Sequence, residues 1–394
     1  MDSREQTIFD PEDIETQVNP YPFYPVLRDH SPLLKSSFLG QPCWILSRRK
    51  DISAVLMDPV TYSNKTAPLP SMLFQDPPAH GRLRKMASNM FTHVAVQSQA
   101  GAITVQAEAL IQPALAAGRF DAIVDFASPL TVYMISCLLG MPVEQVESIG
   151  QSGELTDYIV ALRLGVAPSV EAQLVMEAKT ELMMGPVRTG GYAEGGVMAL
   201  LAEQYRRGEI TQDELVHTGI LLFGAGHTTT TRLIGACIYM LMERPQDLER
   251  IAVEESFVDI FVEEVLRTRP SFQRIQRVTT RPVELYGEVI PAGSVIRLLL
   301  GSANRDPDFF PDAETFDPDR EGRRHSSFGQ GIHTCLGNWL ARLEAAIALK
   351  VVARHVARIT LDSDRPSVPL MGGTFNEFGF VQLPMILEPR EIVA

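Results

Sequence analysis

Residues 328–337 form a glycine-rich segment, Phe-Gly-Gln-Gly-Ile-His-Thr-Cys-Leu-Gly, which contains a single thiol, that of Cys335. Gly329, Gly331 and Gly337 allow tight or left-handed turns and let the backbone come close to a bulky partner. Apolar residues recur at helical spacing over residues 338–357, so Cys335 lies at or just before a helix N-terminus. The amides and the positive dipole end of such a terminus favour a thiolate. Together these features predict that Cys335 is a metal ligand.

Two other interpretations of Cys335 remain open from the residues alone. The thiol could act as a nucleophile with His333 as its base, because the two side chains are close in the chain. It could also be an unreactive buried thiol. The metal ligand has the most specific consequence, since a thiolate that donates electron density into haem iron favours cleavage of an O–O bond.

A second group of residues with possible chemistry is Gly-Ala-Gly-His-Thr-Thr-Thr-Thr at positions 224–231, in the middle of a long helical pattern. Gly224 and Gly226 each cost roughly 1 kcal/mol relative to alanine inside a helix, so helix propensity does not explain them. Their missing side chains would open the helix beside a flat cofactor, and the threonine hydroxyls can bond back to carbonyls one turn earlier. The alternative is a close contact between two helices through small residues.

The helix that carries this group is predicted to run from about Thr211 to Glu243. Thr211 and Glu214 form a capping box at its start, and Arg244-Pro245 ends it. A helix of this length spans about 50 Å, enough to cross a whole domain. Helical spacing also covers residues 125–139, 152–162, 169–184, 197–207, 246–268 and 338–354.

Two β-hairpins are predicted beside these helices, over residues 34–47 with a turn at 40–42 and over residues 283–300 with a turn at 291–293. The fold class is therefore mainly α with small β-sheets. The β-containing portion covers about 30–50, 283–300 and 371–389, and the helical core covers about 76–270 and 338–357. Because no linker or repeat divides the chain, residues 1–394 are expected to form a single domain, with the glycine-rich run 185–196 as a surface loop.

The charge balance limits the possible partners. With 35 basic and 48 acidic residues the net charge is −13, which argues against nucleic acid and against an anionic membrane. The first residues are polar, and the longest apolar stretch, 215–242, contains two histidines and an arginine, so we expect no signal peptide and no membrane span. Cys43, Cys137 and Cys237 are interpreted as buried thiols in a reducing compartment, which predicts a soluble cytoplasmic protein.

The segment 328–337 resembles the cysteine-ligand loop of the cytochrome P450 family, the haem-thiolate monooxygenases. Four further segments match in the same order, so the resemblance covers the chain from about Asp51 to Pro384. It implies the single-domain P450 fold, an α-rich triangular prism, and haem b (iron protoporphyrin IX) as cofactor. It also implies Cys335 as axial ligand of the iron, with Phe328, Gly329 and Gly337 at the haem.

The resemblance also assigns the helical group at 224–231. Ala225 and Gly226 would flank bound dioxygen, and the Thr229 hydroxyl would support its protonation. Family members usually carry Asp or Glu immediately before that threonine, whereas this chain has Thr228. The acid half of the proton relay is therefore missing, and protons would come through water, a neighbouring side chain or the substrate. His227 is turned away by helical geometry and is expected to be exposed or packed.

Two sets of charged residues match the family as well. Glu264 and Arg267 stand three positions apart on one helix face, and with Arg320 they resemble the buried network beneath the haem, a structural role. The haem propionates require cations, and by resemblance these are His80, Arg84, Arg277 and His333.

The substrate pocket follows from position in the family pattern, with the region 158–168 also contributing. The residues expected to line it are Leu69, Met72, Leu73, Phe74, Leu221, Gly224, Phe272, Gln273, Ile275, Asn376 and Glu377. Most are apolar, which favours a mid-sized organic substrate. Glu377 would anchor an amine or amide NH if the tip at 375–378 points inward, and would otherwise face solvent.

Electrons are expected from ferredoxin and ferredoxin reductase, because the chain ends too soon after Cys335 for a fused flavin domain. An acidic ferredoxin would be steered to the basic residues Arg323, Arg324, His325, Lys85 and Arg342. We expect a monomer that hydroxylates or epoxidises an intermediate of secondary metabolism, such as antibiotic biosynthesis.

Three other outcomes remain open. The first is intramolecular C–N or C–C bond formation without oxygen insertion, which the missing acid favours. The second is peroxide-driven oxidation, and the third is a non-enzymatic haem sensor or carrier.

Overall fold

The computed structural model describes residues 9–150, 153–322, 324–370 and 377–391. The α-helices are α1 Ile14–Val18, α2 Phe23–His30, α3 Arg49–Met57, α4 Ala79–Ser88, α5 His93–Gln97, α6 Ala100–Ala117, α7 Ser128–Leu139, α8 Val143–Gly150, α9 Gly153–Leu164, α10 Val170–Thr189, α11 Val197–Arg206, α12 Gln212–Glu243, α13 Pro245–Val253, α14 Phe257–Thr268, α15 Leu300–Ala303 and α16 Asn338–His355. The strands are β1 Leu33–Phe38, β2 Gln41–Leu46, β3 Tyr62–Ser63, β4 Arg119–Asp121, β5 Arg274–Thr279, β6 Val283–Leu285, β7 Glu288–Ile290, β8 Val295–Leu299, β9 Val356–Leu361, β10 Val368–Pro369, β11 Phe380–Gln382 and β12 Pro384–Pro389. The predicted class, mainly α with small sheets, is confirmed.

Helix α12 is the centre of the helical part. The predicted capping box is present, since Thr211 caps the first turn and the Glu214 side chain bonds back to the Thr211 backbone. The helix is 32 residues long and packs against α7, α10 and α16. The buried residues of α12 belong to a large apolar cluster. Packing of the turns before and after residues 224–231 therefore fixes the position of this segment.

Within the described ranges, the strands form one main sheet and three smaller ones. The main sheet has the order β1-β2-β8-β5-β3, and the three-stranded sheet has the order β4-β12-β9. The hairpin of β1 and β2 is the one predicted from the sequence, with pairs from Leu33↔Leu46 to Phe38↔Gln41. The main sheet carries β5, which places Arg277 and the residues before it beside the helical core.

The second predicted hairpin is wrong in its turn. Strands β6 and β7 pair across Tyr286 and Gly287, both with positive φ, as a two-residue hairpin turn requires. Gly293, at φ +80°, instead leads the chain into β8, which lies between β2 and β5. The predicted helix 246–268 is also divided, because Glu254 leaves the helical conformation after α13.

The cysteines divide differently from the prediction. Cys43 and Cys237 are buried, as expected, but Cys137 is exposed. Cys137 lies on the outer side of α7, whose other side packs against α12, so an apolar helical pattern alone did not fix its direction. The expectation of three buried thiols was therefore wrong for Cys137.

One helical stretch among the described residues, Ala122–Leu139, is long and apolar enough to cross a membrane, with a mean hydropathy of 1.7. The stretch is 67% buried within the protein, and its α7 part packs against α12. A core helix of a globular protein has the same length and composition. This stretch is therefore explained by packing.

Candidate functional site

The Cys335 loop is held by turns that need glycine. Gly329 and Gly331 have φ of +65° and +72°, and a Cβ on Gly331 would collide with the carbonyl oxygen of Leu56. The Cys335 amide donates a hydrogen bond to the Phe328 carbonyl at 2.8 Å, which closes the loop. Gly337 has an ordinary φ of −84°, so it makes no left-handed turn, and its predicted close approach to the haem stays a prediction.

The sulfur of Cys335 lies just before α16, as predicted. Burial raises the pKa of the thiol, while the Gly337 amide and the charges of Arg84 and Arg342 act in the opposite direction. The neighbouring Thr334 carbonyl accepts a hydrogen bond from Arg84 Nη2 at 2.6 Å. Among the described residues no hydrogen bond joins Cys335 to His333, so the geometry gives no support to a nucleophile–base pair.

Four predicted cationic residues do come together beside this loop. The rings of His80 and His333 lie 4.1 Å apart, and His333 Nδ1 is 3.5 Å from Asn64 Nδ2. Arg277 Nη1 donates to Asn64 Oδ1 at 2.8 Å. Burial and the positive charges of His80, Arg277 and Arg84 lower the pKa of His333 to about 3. We call His80, Arg84, Arg277 and His333 the cation cluster.

The cation cluster provides a test of whether haem fits this site. The Nε2 atoms of His80 and His333 are buried and have no hydrogen-bond partner among the described residues. Burial lowers the pKa of His80 and of Arg277, and the Asp76 carboxylate partly offsets this shift. The Asp76 oxygens already accept hydrogen bonds from Ser63 and Asn64. Unpaired donors and cations next to a thiol suit a group with iron and two carboxylates. The donor set fits haem b.

The middle of α12 has the back-bonded threonines that the sequence predicted, within an unbroken helix. Thr228 Oγ1 lies 3.0 Å from the Gly224 carbonyl, and Thr229 Oγ1 donates to the Ala225 carbonyl at 2.7 Å. Ala225 is exposed although the helix is buried before and after it, and a Cβ on Gly224 would meet nothing within 4 Å. We call the accessible side of residues 224–229 the groove.

Gly226 and His227 belong to helix packing. A Cβ on Gly226 would lie 2.7 Å from Ile135 of α7, so the small-residue contact explains this glycine. His227 stacks on Phe223 with ring centroids 5.5 Å apart, and its Nδ1 is 3.0 Å from Thr131 Oγ1. Burial, with the charge of Arg232, lowers the pKa of His227 to about 4. His227 is a packed histidine, one of the two expected outcomes.

Glu377 points at the helix rather than at solvent. Its Oε1 is 2.9 Å from Thr228 Oγ1, and residue 377 forms an isolated β-bridge with Phe272. Asn376, predicted to share this tip, lies outside the described residues. The sequence left the direction of Glu377 open, because the partner hydroxyl lies 149 positions away in the chain.

The other predicted pocket residues occupy several different environments. Leu69 and Phe74 are buried against Tyr158, Ile159 and Leu162, so these residues of the region 158–168 lie beside them. Met72 belongs to the main apolar core and Leu221 packs on it, whereas Leu73 is 39% exposed.

Gln273, just before β5, and Ile275, on β5, contact other groups of the protein. Gln273 Oε1 accepts from Tyr24 at 2.8 Å, and Gln273 Nε2 donates to Tyr21 at 3.0 Å, so the amide is used within the protein. Ile275 packs on the apolar cluster under the main sheet. That Gln273 and Ile275 also line a substrate pocket stays a prediction.

The predicted ion pair on α14 is present and buried. Arg267 Nε and Nη2 donate to Glu264 at 2.8 and 2.7 Å, and both side chains are 1% exposed. Arg320 Nε lies 3.6 Å from Glu264 Oε1. The remaining Arg267 hydrogens bond to the carbonyls of Asn304, Ala313 and Thr315, so the network ties α14 to the chain that precedes the Cys335 loop.

The predicted electron-donor surface is less basic than expected. Arg323 lies outside the described residues, while Arg324 and Lys85 are exposed. Arg342 binds Glu263 through Nη2 at 3.2 Å, and the His325 ring, 2% exposed, lies 3.3 Å from the same carboxylate. His325 and Arg342 therefore hold Glu263 and do not provide free positive charge, which corrects the expectation for these two residues.

Glu263 gives an acid-dependent contribution to stability. Burial alone would raise the pKa of this carboxyl from its usual value of 4.5, but the His325 and Arg342 side chains lower it to about 2. The contribution is present above pH 4.5 and is lost as the pH falls toward 2. We expect Glu263→Gln to lower the free energy of unfolding at neutral pH by at most about 3 kcal/mol. The variant should also lose less of its stability than wild type when urea unfolding is measured at decreasing pH. Glu284→Gln, a change at an exposed residue, is the control. If Glu263→Gln lost stability with falling pH as wild type does, Glu263 would not be the source of the acid-dependent contribution.

A mainly helical fold, a cysteine loop with two required glycines and a buried cation cluster define the class of haem-thiolate oxygenases. The sequence model of this class, cytochrome P450, matches residues 195–367. The biotin biosynthesis cytochrome P450 of Bacillus subtilis (strain 168) is 32% identical over 377 residues, which cover 90% of this chain and 93% of the relative. The erythromycin C-12 hydroxylase of Saccharopolyspora erythraea is 33% identical, with 82% and 84% covered.

The fold comparison agrees with the sequences. The crystal structure of CalO2 superposes with a TM-score of 0.84 and 27% identity, covering 97% of this chain and 99% of that one. The chain belongs to the cytochrome P450 family. It is a monooxygenase of the bacterial type with haem b as cofactor, and such enzymes act on small molecules with electrons from redox partners.

Sequence reasoning missed several residues of the site. Asn64 joins Arg277 to His333, Thr131 holds His227, and Ser271 donates to the Thr229 carbonyl at 2.8 Å. Each is a common polar residue whose partner lies far away in the chain. No local spacing could have singled them out.

Proposed function

We propose that this protein hydroxylates or epoxidises a mid-sized organic intermediate of secondary metabolism, with Cys335 as the axial ligand of its haem. The observation that carries the assignment is the buried cation cluster beside the Cys335 loop. Its unpaired imidazole nitrogens and arginines would bind the two propionates and so fix the haem plane against the thiol. Residues 1–394 would act as one haem domain in the cytoplasm, as a monomer.

Bound haem supplies two-electron reduction of dioxygen and transfer of one oxygen atom to a substrate C–H or C=C bond. The chain's own residues determine what reaches it. The accessible side of Ala225 and Gly224 leaves room for a diatomic molecule beside the haem, and the Thr229 hydroxyl would hold a proton there. The Phe328 ring and the loop amides would shield the sulfur from water.

Electrons would come from a ferredoxin reduced by its reductase, docking on the exposed cations Lys85 and Arg324. We expect Lys85→Glu with Arg324→Glu to slow reduction by ferredoxin and to weaken its dependence on salt. Because Arg342 and His325 are held by Glu263, their replacement should act on stability first. Reduction kinetics identical to wild type at low salt would contradict this docking surface.

The substrate is sought by its shift of the haem spin state, with fatty acids, macrolide aglycones and cyclic peptides as probes. The compound that gives the largest shift is then turned over under labelled dioxygen and analysed by mass spectrometry. One labelled oxygen in the product supports the proposal. A product that has lost two hydrogens and gained no label supports intramolecular C–N or C–C bond formation, which Thr228 in place of an acid favours.

The cation cluster leads to a prediction on cofactor retention. Arg277 is 5% exposed and provides a charged donor, so Arg277→Leu should release haem at least about tenfold faster, as loss of a charge-assisted bond predicts. Haem transfer to an excess of an apo-globin measures the rate. Arg281→Leu is the matched control, since Arg281 is exposed and bonds to Thr61. Equal transfer rates in the two variants would remove Arg277 from the propionate site.

A further inference from the structure

The chain lacks an acid before Thr229 on α12, yet a carboxyl group reaches Thr228 from another part of the fold. Glu377 Oε1 lies 2.9 Å from Thr228 Oγ1, and the Gly224 carbonyl lies 3.0 Å from the same hydroxyl. A hydroxyl carries one hydrogen and two lone pairs. It can therefore accept from a protonated Glu377 while it donates to Gly224, or donate to Glu377 when that carboxyl is ionised.

The segment 377–380 is fixed against α12, so this contact does not depend on a free loop. The Phe378 amide donates to the Ser271 carbonyl at 2.7 Å, and Ser271 Oγ donates to the Thr229 carbonyl at 2.8 Å. One turn further along the helix, Arg232 Nη1 donates to the Phe380 carbonyl at 2.8 Å. The two residues Phe378 and Phe380, which follow Glu377, are thus anchored to α12, the first through Ser271 and the second directly by Arg232.

The surroundings of Glu377 also favour a role within the protein. One of its oxygens is engaged by Thr228, and its negative charge acts on Arg232, whose pKa is lowered by burial and raised in part by Glu377. A substrate amine would compete with both groups. The carboxyl is half-buried, as is Thr228, so the pair is placed at the boundary between the groove and water.

We propose that Glu377 is the positioning residue that replaces the missing acid, acting on the groove through Thr228. The Glu377 carboxylate takes a proton from bulk water and passes it to Thr228 Oγ1. Thr228 at the same time gives its own hydroxyl proton to a water molecule in the groove, which passes a proton on to the reaction. Because reduction of dioxygen consumes protons, the carboxylate returns to its starting state and charge balances. This inference rests on the proposed function, since it needs a haem that reduces dioxygen at the groove.

The test uses the haem-loaded protein and needs no substrate. Each variant is supplied with electrons from reduced ferredoxin in air-saturated buffer made with H₂O or D₂O, because one reduced haem holds only one electron, and the consumption of dioxygen is followed. We expect Glu377→Gln to slow this consumption about a hundredfold, the lower end of the range for loss of a proton-transfer group, and to increase its solvent isotope effect, because proton transfer then limits the rate. The exposed change Glu284→Gln should have no effect.

A second substitution separates proton supply from structure. Thr228→Asp in the Glu377→Gln protein returns a carboxyl group to the helix itself, so it should restore both the rate and the isotope effect. A substrate anchor or a packing residue would not be rescued in this way. An unchanged rate in Glu377→Gln, or a slow rate that Thr228→Asp does not restore, would overturn the proposal.

Urea unfolding supplies a readout that does not depend on dioxygen. Thr228→Val and Glu377→Ala should lower the urea midpoint by amounts that do not add, because each removes the same hydrogen bond. Additive losses would contradict the pair. Failure of the proposed function would be seen separately, as a wild-type protein whose reduced carbon monoxide spectrum lacks the thiolate band.

Discussion

Replacement of Cys335 by alanine should abolish the strongly red-shifted Soret band that thiolate-ligated haem gives when reduced under carbon monoxide. The reason is electronic: only the thiolate donates enough electron density to the iron, and alanine leaves no donor. Oxygenation should fall to the background of free haem. The cation cluster is untouched, so part of the haem should remain bound. Absorbance spectra of the dithionite-reduced protein measure both effects.

The matched control is Cys137→Ala, which removes an exposed thiol from α7. Its spectrum should be that of wild type. A histidine-like band in wild type and in Cys335→Ala alike would show that another side chain ligates the iron. That result would revive the haem sensor as an interpretation of this fold.

The second large effect is expected at the buried ion pair of α14. Glu264→Ala should destabilise the protein by about 3–5 kcal/mol, because Arg267 would remain as an uncompensated buried charge. The Asp317 amide, which donates to Glu264 Oε1 at 2.8 Å, would lose its acceptor as well. The loop before Cys335 would then be less ordered, and haem should be lost at a lower urea concentration. Unfolding followed by circular dichroism and Soret absorbance measures both.

Glu203→Ala is the control for this prediction, since its pairs with Arg206 and Arg207 are exposed. Exposed pairs contribute about 0–1 kcal/mol. Where Glu264→Ala fails to accumulate, Glu264→Gln keeps the size and one acceptor and should show a smaller loss in the same direction. A stability equal to that of Glu203→Ala would mean that the carbonyls around Arg267 suffice to hold it.

Local spacing in the sequence predicted the parts of the site that lie within one element. The capping box at Thr211, the back-bonded threonines and the pair of Glu264 with Arg267 all follow from neighbours on one helix, where geometry is fixed. Positive φ was predicted to be available at Gly329, Gly331 and Gly337, and the first two residues use it, whereas the backbone of Gly337 is ordinary. The turn of the second hairpin was missed because Tyr286-Gly287 carries less obvious turn chemistry than Pro291-Ala292-Gly293.

The remaining parts depend on contacts between distant segments. Asn64 meets Arg277 across 213 positions, and Thr228 meets Glu377 across 149. Packing of helices and sheets decides such meetings, and no periodicity records them. The same reason explains why the predicted electron-donor surface is less basic than expected. The sequence shows Arg342 and His325 as basic residues, but only the fold brings Glu263 of α14 next to both.

The cation cluster also links this enzyme to the metabolism of the cell that makes it. Burial lowers the pKa of Arg84 and Arg277, so their positive charges are destabilised within the protein. A ligand that binds only the folded chain stabilises it in proportion to the logarithm of its free concentration. Iron-starved cells that make little haem would then keep less of this protein, because more of it would be open to proteases. The amount of folded enzyme would therefore follow the supply of haem through protein turnover.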